Sequence, residues 1–156
     1  MSVIRRLRQR ALTAGIVCTR AALSQLAFGV SAIVTDEAGR VLLVRPRLGH
    51  GWALPGGGVA AGEPPAGAVL RELQEEVGYG GGEPPALFGL YTRRVAWATN
   101  LIAVYRLAGG EVDFKPNFEI AEIVWADPAA PPQGTQPGTA RRLAEFTGQA
   151  PHRAIW

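Results

Sequence analysis

Residues 54–79 read LPGGGVAAGEPPAGAVLRELQEEVGY, and the way this stretch folds decides how the rest of the chain is read. Pro64 and Pro65 suit the first turn of a helix, where backbone N–H groups have no intrahelical partner. Apolar Ala66, Val69, Leu70, Leu73 and Val77 follow at spacings of three and four, and Gly78 supplies a C-terminal stop. One helix of about 13 residues is predicted. On it, Glu72, Glu75 and Glu76 fall within about one turn, with Glu72 and Glu76 in line and Glu75 at the flank. Like charges at that spacing cost roughly 0.2–0.5 kcal/mol per pair, in a chain that has only 13 acidic residues. A solvated acidic face is the ordinary explanation of such a run. Against it stand the GGG turn before the helix, Arg71 within it, and its position between two strand pairs. Hard divalent cations such as Mg²⁺ take oxygen ligands at about 2.0–2.1 Å, using one or two carboxylates together with waters and substrate phosphates. Clustered glutamates beside an open glycine loop supply those donors.

Working outward, FGVSAIVT (28–35) and RVLLVR (40–45) are β-branched apolar runs joined by Asp36, Glu37, Ala38 and Gly39, which reads as an antiparallel hairpin. ALFGLYT (86–92) and ATNLIAVYRL (98–107) form a second strand pair, and EIAEIVWAD (119–127) a further strand. TARRLAEFTG (139–148) has helical periodicity and its own stop at Gly148, whereas QAPHRAIW after it reads as irregular. Strands interspersed with helices at this length predict a single mixed α/β domain, with a helix on each side of the sheet. The expected divisions are an N-terminal helix over 1–26, the domain over 27–150 and a tail over 151–156.

Composition sets the outer bounds. A chain of 156 residues, 47% hydrophobic and 19% charged, fits one globular unit. Its net charge of +3 is uneven, because Arg5, Arg6, Arg8, Arg10 and Arg20 precede the first acid, Asp36. The remainder lacks the clustered basic residues with interleaved aromatics of a nucleic-acid surface. Cys18 is the sole cysteine, which excludes an intrachain disulfide and a two-cysteine zinc or redox motif and points to a reducing, cytoplasmic setting. In the first segment Val3, Ile4, Leu7, Ala11, Leu12, Gly15 and Ile16 recur at helical spacing among arginines, predicting an amphipathic helix. It would dock on the domain or a partner, or attach peripherally to an anionic membrane. Arg20 breaks the apolar run that a signal peptide would need, and the run is too short and charged to span a bilayer.

From Gly57 onward the chain resembles the signature of the Nudix hydrolase family: Gly, five residues, Glu, seven residues, then Arg-Glu-apolar-x-Glu-Glu-x-Gly-apolar. Gly57, Glu63, Arg71, Glu72, Leu73, Gln74, Glu75, Glu76, Val77, Gly78 and Tyr79 fill it in order. Tyr79 is the one departure, standing where the family has an aliphatic residue. Together with WALPGG before it and the strands after it, the resemblance extends over roughly 28–148 and implies an α/β/α sandwich with a mixed sheet. Gly56, Gly58 and Ala61 mimic a dinucleotide fingerprint, but no long strand-to-helix crossover with a downstream acid follows. A phosphate loop ending in Gly-Lys-Ser or Gly-Lys-Thr is also missing.

The resemblance implies hydrolysis of a pyrophosphate bond in a molecule that carries a nucleoside diphosphate, with Mg²⁺ or Mn²⁺ as cofactor. It places the metal ligands at Glu72, Glu75 and Glu76, joined by the backbone carbonyl of Gly56. Arg71 pairs with a glutamate, and Glu63 takes a supporting role. The general base falls to Glu72 first, with Glu119 and Glu122 as later-loop candidates. Arg45 and Arg47 flank Pro46 near the glycine loop and could clamp phosphates or lie on the surface. Arg93, Arg94, Trp97 and Asn100 form a second group that could meet a base or sugar. Trp52 and Trp125 read as packing residues and His50 as a loop residue. The substrate stays open among nucleotides, sugar nucleotides and dinucleotides, with RNA 5′ ends disfavoured by the absence of a basic stripe. A catalytically silent nucleotide-binding module is the alternative, which the retained, mutually repelling carboxylates argue against.

Overall fold

The structure, a computed structural model, describes residues 26–156. The basic helix expected over 1–26 lies outside them except for Leu26, which begins β1, and Cys18 also lies outside. The elements run β1 (Leu26–Thr35), β2 (Val41–Pro46), α1 (Pro65–Val77), β3 (Tyr79–Gly80), β4 (Ala86–Val95), β5 (Ala98–Ala108), β6 (Glu111–Val112), β7 (Ile120–Ala126) and α2 (Pro137–Phe146). Five strands make one mixed sheet in the order β4-β5-β1-β2-β7, and β3 pairs β6 in a small second sheet. The two hairpins expected from sequence are antiparallel, β1 with β2 through Thr35 and Val41 and β4 with β5 along most of their length. The sheet is made mixed by β1 and β5, which run parallel in register from Leu26 and Thr99 to Thr35 and Ala108.

The central strand β1 is covered on both faces, so its sequence GVSAIVT is almost continuously apolar instead of alternating. Val30, Ala32 and Val34 pack with Ala68, Val69, Leu73 and Val77 of α1. Ile33, pointing the other way, packs with Leu143 of α2, Tyr91 of β4 and Val104 of β5. One helix therefore lies on each face, as the sequence predicts. Among the described residues no helix is long and apolar enough to cross a membrane.

The signature helix has the 13 residues its periodicity implies, and Gly78 closes it with a left-handed φ of 66°. Tyr79 keeps its aromatic ring in the core, and its hydroxyl donates to the Gly109 carbonyl at 3.0 Å. A polar tip thus finds a partner, and the departure from an aliphatic residue is absorbed. Two boundaries differ from expectation. The strand expected from Glu119 starts at Ile120 because Asn117 Oδ1 accepts the N–H groups of both Glu119 and Ile120, an Asx-type turn that holds Glu119 off the ladder. The second helix begins at Pro137, two residues ahead of the periodic run, since proline is tolerated in a first helical turn.

Candidate active site

The helix α1 buries an apolar stripe, but Glu72 and Glu76 are buried with it. Buried carboxylates need partners, and the GGG turn provides them. Gly56 N–H donates to Glu76 Oε2 at 2.8 Å. A Cβ on Gly57 would collide with the Glu72 carboxylate, and one on Gly56, whose φ is 145°, would collide with the Val30 carbonyl. Glycine at both positions lets the loop lie between strand β1 and the glutamates. Val30 and Ala32 N–H groups fix it there by donating to the Gly57 and Pro55 carbonyls, each at 2.9 Å.

Arg71 ties together the flank of this arrangement. Its Nε and Nη2 donate to the two oxygens of Glu63 at 2.9 and 3.1 Å, its Nη1 to Glu72 at 2.9 Å and to Glu75 at 3.2 Å, and its Nη2 also to the Gly58 carbonyl at 2.8 Å. The Arg71 hydrogen bond, with the Ala60 N–H, holds the Glu63 carboxyl below its usual range. Glu75 is the most exposed of the three helix carboxylates, with its side chain 59% accessible.

Glu76 behaves oppositely. Burial pushes its carboxyl up to about 7 against the pull of the Gly56 N–H, and the charges of Glu72, Glu119 and Glu75 push it further. A cation beside the group would reverse that penalty by favouring the ionised form. The donors are all hard oxygens, the type that suits Mg²⁺ or Mn²⁺ over softer metals. Among the described residues no three His, Cys, Asp or Glu side chains already stand in a metal cage; Arg71 is the cation that Glu72 and Glu75 contact.

The remaining sequence candidates separate into two places. Glu119, just before β7, is close enough to Glu76 to raise its pKa, and Asn117 brings it there by donating from Nδ2 to the Glu76 carbonyl at 3.0 Å. Nothing in the periodicity singled out Asn117, because its role lies in joining a loop to a helix end 41 residues away. Arg47 is fixed to the same loop through the Asn117 and Glu119 carbonyls. Glu122 stands instead on β7 opposite Arg45, where the two form an exposed pair at 3.2 Å. Arg45 also lies 4.7 Å from the centre of the Trp52 ring. Arg93 and Asn100 face each other across β4 and β5 and border a cavity of about 350 Å³, which reaches the Gly56–Gly58 loop. Trp97 is exposed at the tip of that hairpin. Phe28, Gln136, Thr139 and Trp156 also line the cavity. No sequence pattern joins these four, which come from β1, from α2 and from the segments on either side of α2.

The comparisons agree with the geometry. Residues 25–146 match the family model described as NUDIX domain. A Bacillus subtilis protein named "Putative 8-oxo-dGTP diphosphatase" is 30% identical over 122 residues, spanning 78% of this chain and 80% of its own length. An RNA pyrophosphohydrolase of Acidiphilium cryptum is 44% identical, but over only 31% of this chain and 33% of its own. The crystal structure of a MutT NUDIX hydrolase from Burkholderia pseudomallei superposes with a TM-score of 0.68 at 26% identity, covering 77% of this chain and 97% of that one. With its glycine loop seated against the glutamates of a matching signature helix, the chain belongs to the Nudix hydrolase family, enzymes that cleave pyrophosphate bonds in nucleoside diphosphate-linked substrates.

Proposed function

We propose that the protein is a Mg²⁺-dependent pyrophosphohydrolase acting on a small nucleotide derivative, and that residues 27–150 carry the activity. The observation that carries this reading is the contact of the Gly56–Gly57 backbone with the carboxylates of Glu76 and Glu72. Glu72, Glu75 and Glu76 would hold the divalent cation, joined by the Gly56 carbonyl. When bound, such a cation neutralises phosphate charge and acidifies water near neutral pH. Mn²⁺ meets the same donor requirements.

The chain's own groups do the positioning that dominates phosphoryl-transfer catalysis. Arg71 orients Glu72 and Glu75 and is itself oriented by Glu63, whose two oxygens fix the guanidinium plane. To serve as a ligand Glu75 would have to leave Arg71, a motion its exposure permits. Glu72 takes the proton of the attacking water, with Glu119 as the alternative base, because Glu119 lies close to Glu76 whereas Glu122 is paired with Arg45. A nucleoside triphosphate is the first substrate to try, since the Bacillus subtilis relative that spans most of both chains is named for 8-oxo-dGTP. The single cysteine fits a cytoplasmic setting.

The test is a panel of canonical and oxidised nucleoside triphosphates, sugar nucleotides, dinucleotides and 5′-triphosphate RNA, offered with Mg²⁺, with Mn²⁺ and with EDTA. Metal-dependent release of phosphate or pyrophosphate from one substrate class is expected. Equal background release with and without metal across the whole panel would refute the reading.

A further inference from the structure

The cavity that reaches the glycine loop carries a buried polar atom with no partner among the described residues. Among the described residues nothing hydrogen-bonds Asn100 Oδ1, although a buried amide oxygen left unpaired is costly. The amide lies beside Gly29, where an ideal Cβ would stand 3.7 Å from Oδ1 and 3.8 Å from Nδ2. A flip of the amide exchanges the two atoms, so either an acceptor or a donor is free for a ligand.

The same cavity is walled by two aromatics, Phe28 and Trp156. Trp156 reaches it because the segment after α2 returns to the sheet. Thr92 N–H donates to the Ala154 carbonyl at 2.8 Å, and Trp156 N–H to the Thr92 carbonyl at 3.0 Å. Arg142, fully buried, donates to the Ile155 carbonyl at 3.1 Å and to Glu145 at 2.7 Å, and Glu145 in turn accepts the Arg153 N–H at 3.0 Å. The indole lies directly on Gly138 of α2, where any Cβ would collide with it. Tyr91 meets it edge-on with ring centres 6.0 Å apart. Trp156 is thus held by backbone, buried charge and ring contacts together.

Among the described residues Arg93 is the only charged one lining the cavity; the other polar groups there are the hydroxyls and amides of Ser31, Asn100, Gln136 and Thr139 and the indole N–H of Trp156. A wall of that kind suits a neutral, planar group with a donor–acceptor edge and offers little to a second phosphate. We propose that Asn100 and Trp156 are specificity-determining residues for the nucleobase, Asn100 hydrogen-bonding the base edge and Trp156 packing on its ring, so that residues 151–156 belong to the substrate site. The inference rests on the reading above that the substrate is a nucleotide.

Base recognition can be separated from turnover by measuring binding of the four common nucleoside monophosphates and of ribose 5-phosphate to the full chain in EDTA, by calorimetry. At least one nucleotide should bind 10-fold or more tightly than ribose 5-phosphate, and N100A and W156A should each remove about 10-fold of that preference. N100D, which replaces a donor with an acceptor at nearly constant shape, should alter the ranking among bases, and W156F should keep most of the affinity. Thermal melts of each variant identify any that fail to fold, in which case N100D and W156F decide. Equal affinity of the wild type for ribose 5-phosphate and all four nucleotides would overturn the inference, as would folded variants with unchanged preference. Base-selective binding without hydrolysis of any substrate would instead refute the proposed activity alone.

Discussion

Arg71 and Arg142 each gather carboxylate and backbone oxygens, in opposite surroundings. Arg71 holds Glu63, Glu72 and Glu75 at the face of α1 with its side chain 35% accessible. Arg142 and Glu145, one turn apart on α2, have side chains 0% and 3% accessible, and Tyr91 and Trp156 cover the guanidinium at 4.0 and 5.5 Å. Water can replace the first set of bonds when a side chain turns away, and it has no access to the second. Exposed ion pairs add little stability, whereas breaking a buried pair strands the surviving charge. One arginine thus joins carboxylates at a face that solvent reaches, and the other is sealed into a wall that solvent does not reach.

That contrast can be broken most directly at the carboxylates. E75Q and E76Q should each lower kcat on the active substrate by on the order of 100-fold or more, the equivalent of losing several kcal/mol of charge stabilisation, with urea midpoints at or above that of the wild type. Unchanged turnover in both would remove the metal role assigned to them. Next in size, R142A should cost about 3–5 kcal/mol in urea unfolding because Glu145 is left buried without its partner, and the double variant R142L/E145L should recover much of that loss. A double variant no better than the single would show that packing, not charge, is lost. In R71A kcat should fall while the urea midpoint moves far less than in R142A, and equal midpoints for the two would erase the distinction between the two arginines.

The smallest effect is expected at the β1–β2 turn, where Asp36 pairs with Arg40 at the surface. Desolvation pushes the Asp36 carboxyl up, but the Arg40 N–H and guanidinium and the Ala38 N–H outweigh it and leave the group below its ordinary value. A carboxyl depressed by folding stabilises the protein above its unfolded value of about 3.9, and the contribution fades as pH falls from there through the folded value. The stability difference between wild type and D36N should therefore be present at neutral pH and shrink in acid. A gap that stays constant down to pH 2 would contradict the shift.

Legibility followed the range of the interactions. The span of α1 and its stop at Gly78 could be read directly, because apolar spacing and the left-handed cap are set within a few residues. The hairpins were readable for the same reason. The parallel pairing of β1 with β5 was not, since it joins Leu26 to Thr99 across an intervening helix and three strands. The burial of Glu72 and Glu76 was only half visible: their spacing put them in line, but the loop that covers them arrives through hydrogen bonds from Gly56 and from β1. Arg142 gave no sign of being buried, since a charged residue on a short helix is most often solvated.

The reaction class was legible in the signature alone, because its carboxylates, arginine and glycines are placed by the helix repeat and by local backbone freedom. Which of the other candidates meet depends on packing between elements far apart in the chain. Glu119 comes toward Glu76 and Glu122 goes to Arg45, three residues apart on one chain, because Asn117 holds the first off the strand and the ladder places the second opposite Arg45. Trp156 reaches the cavity of Asn100 by a return to β4 that is fixed by Thr92, Arg142 and the bare face of Gly138. Such contacts depend on elements distant in sequence packing on one sheet, and no local pattern encodes them.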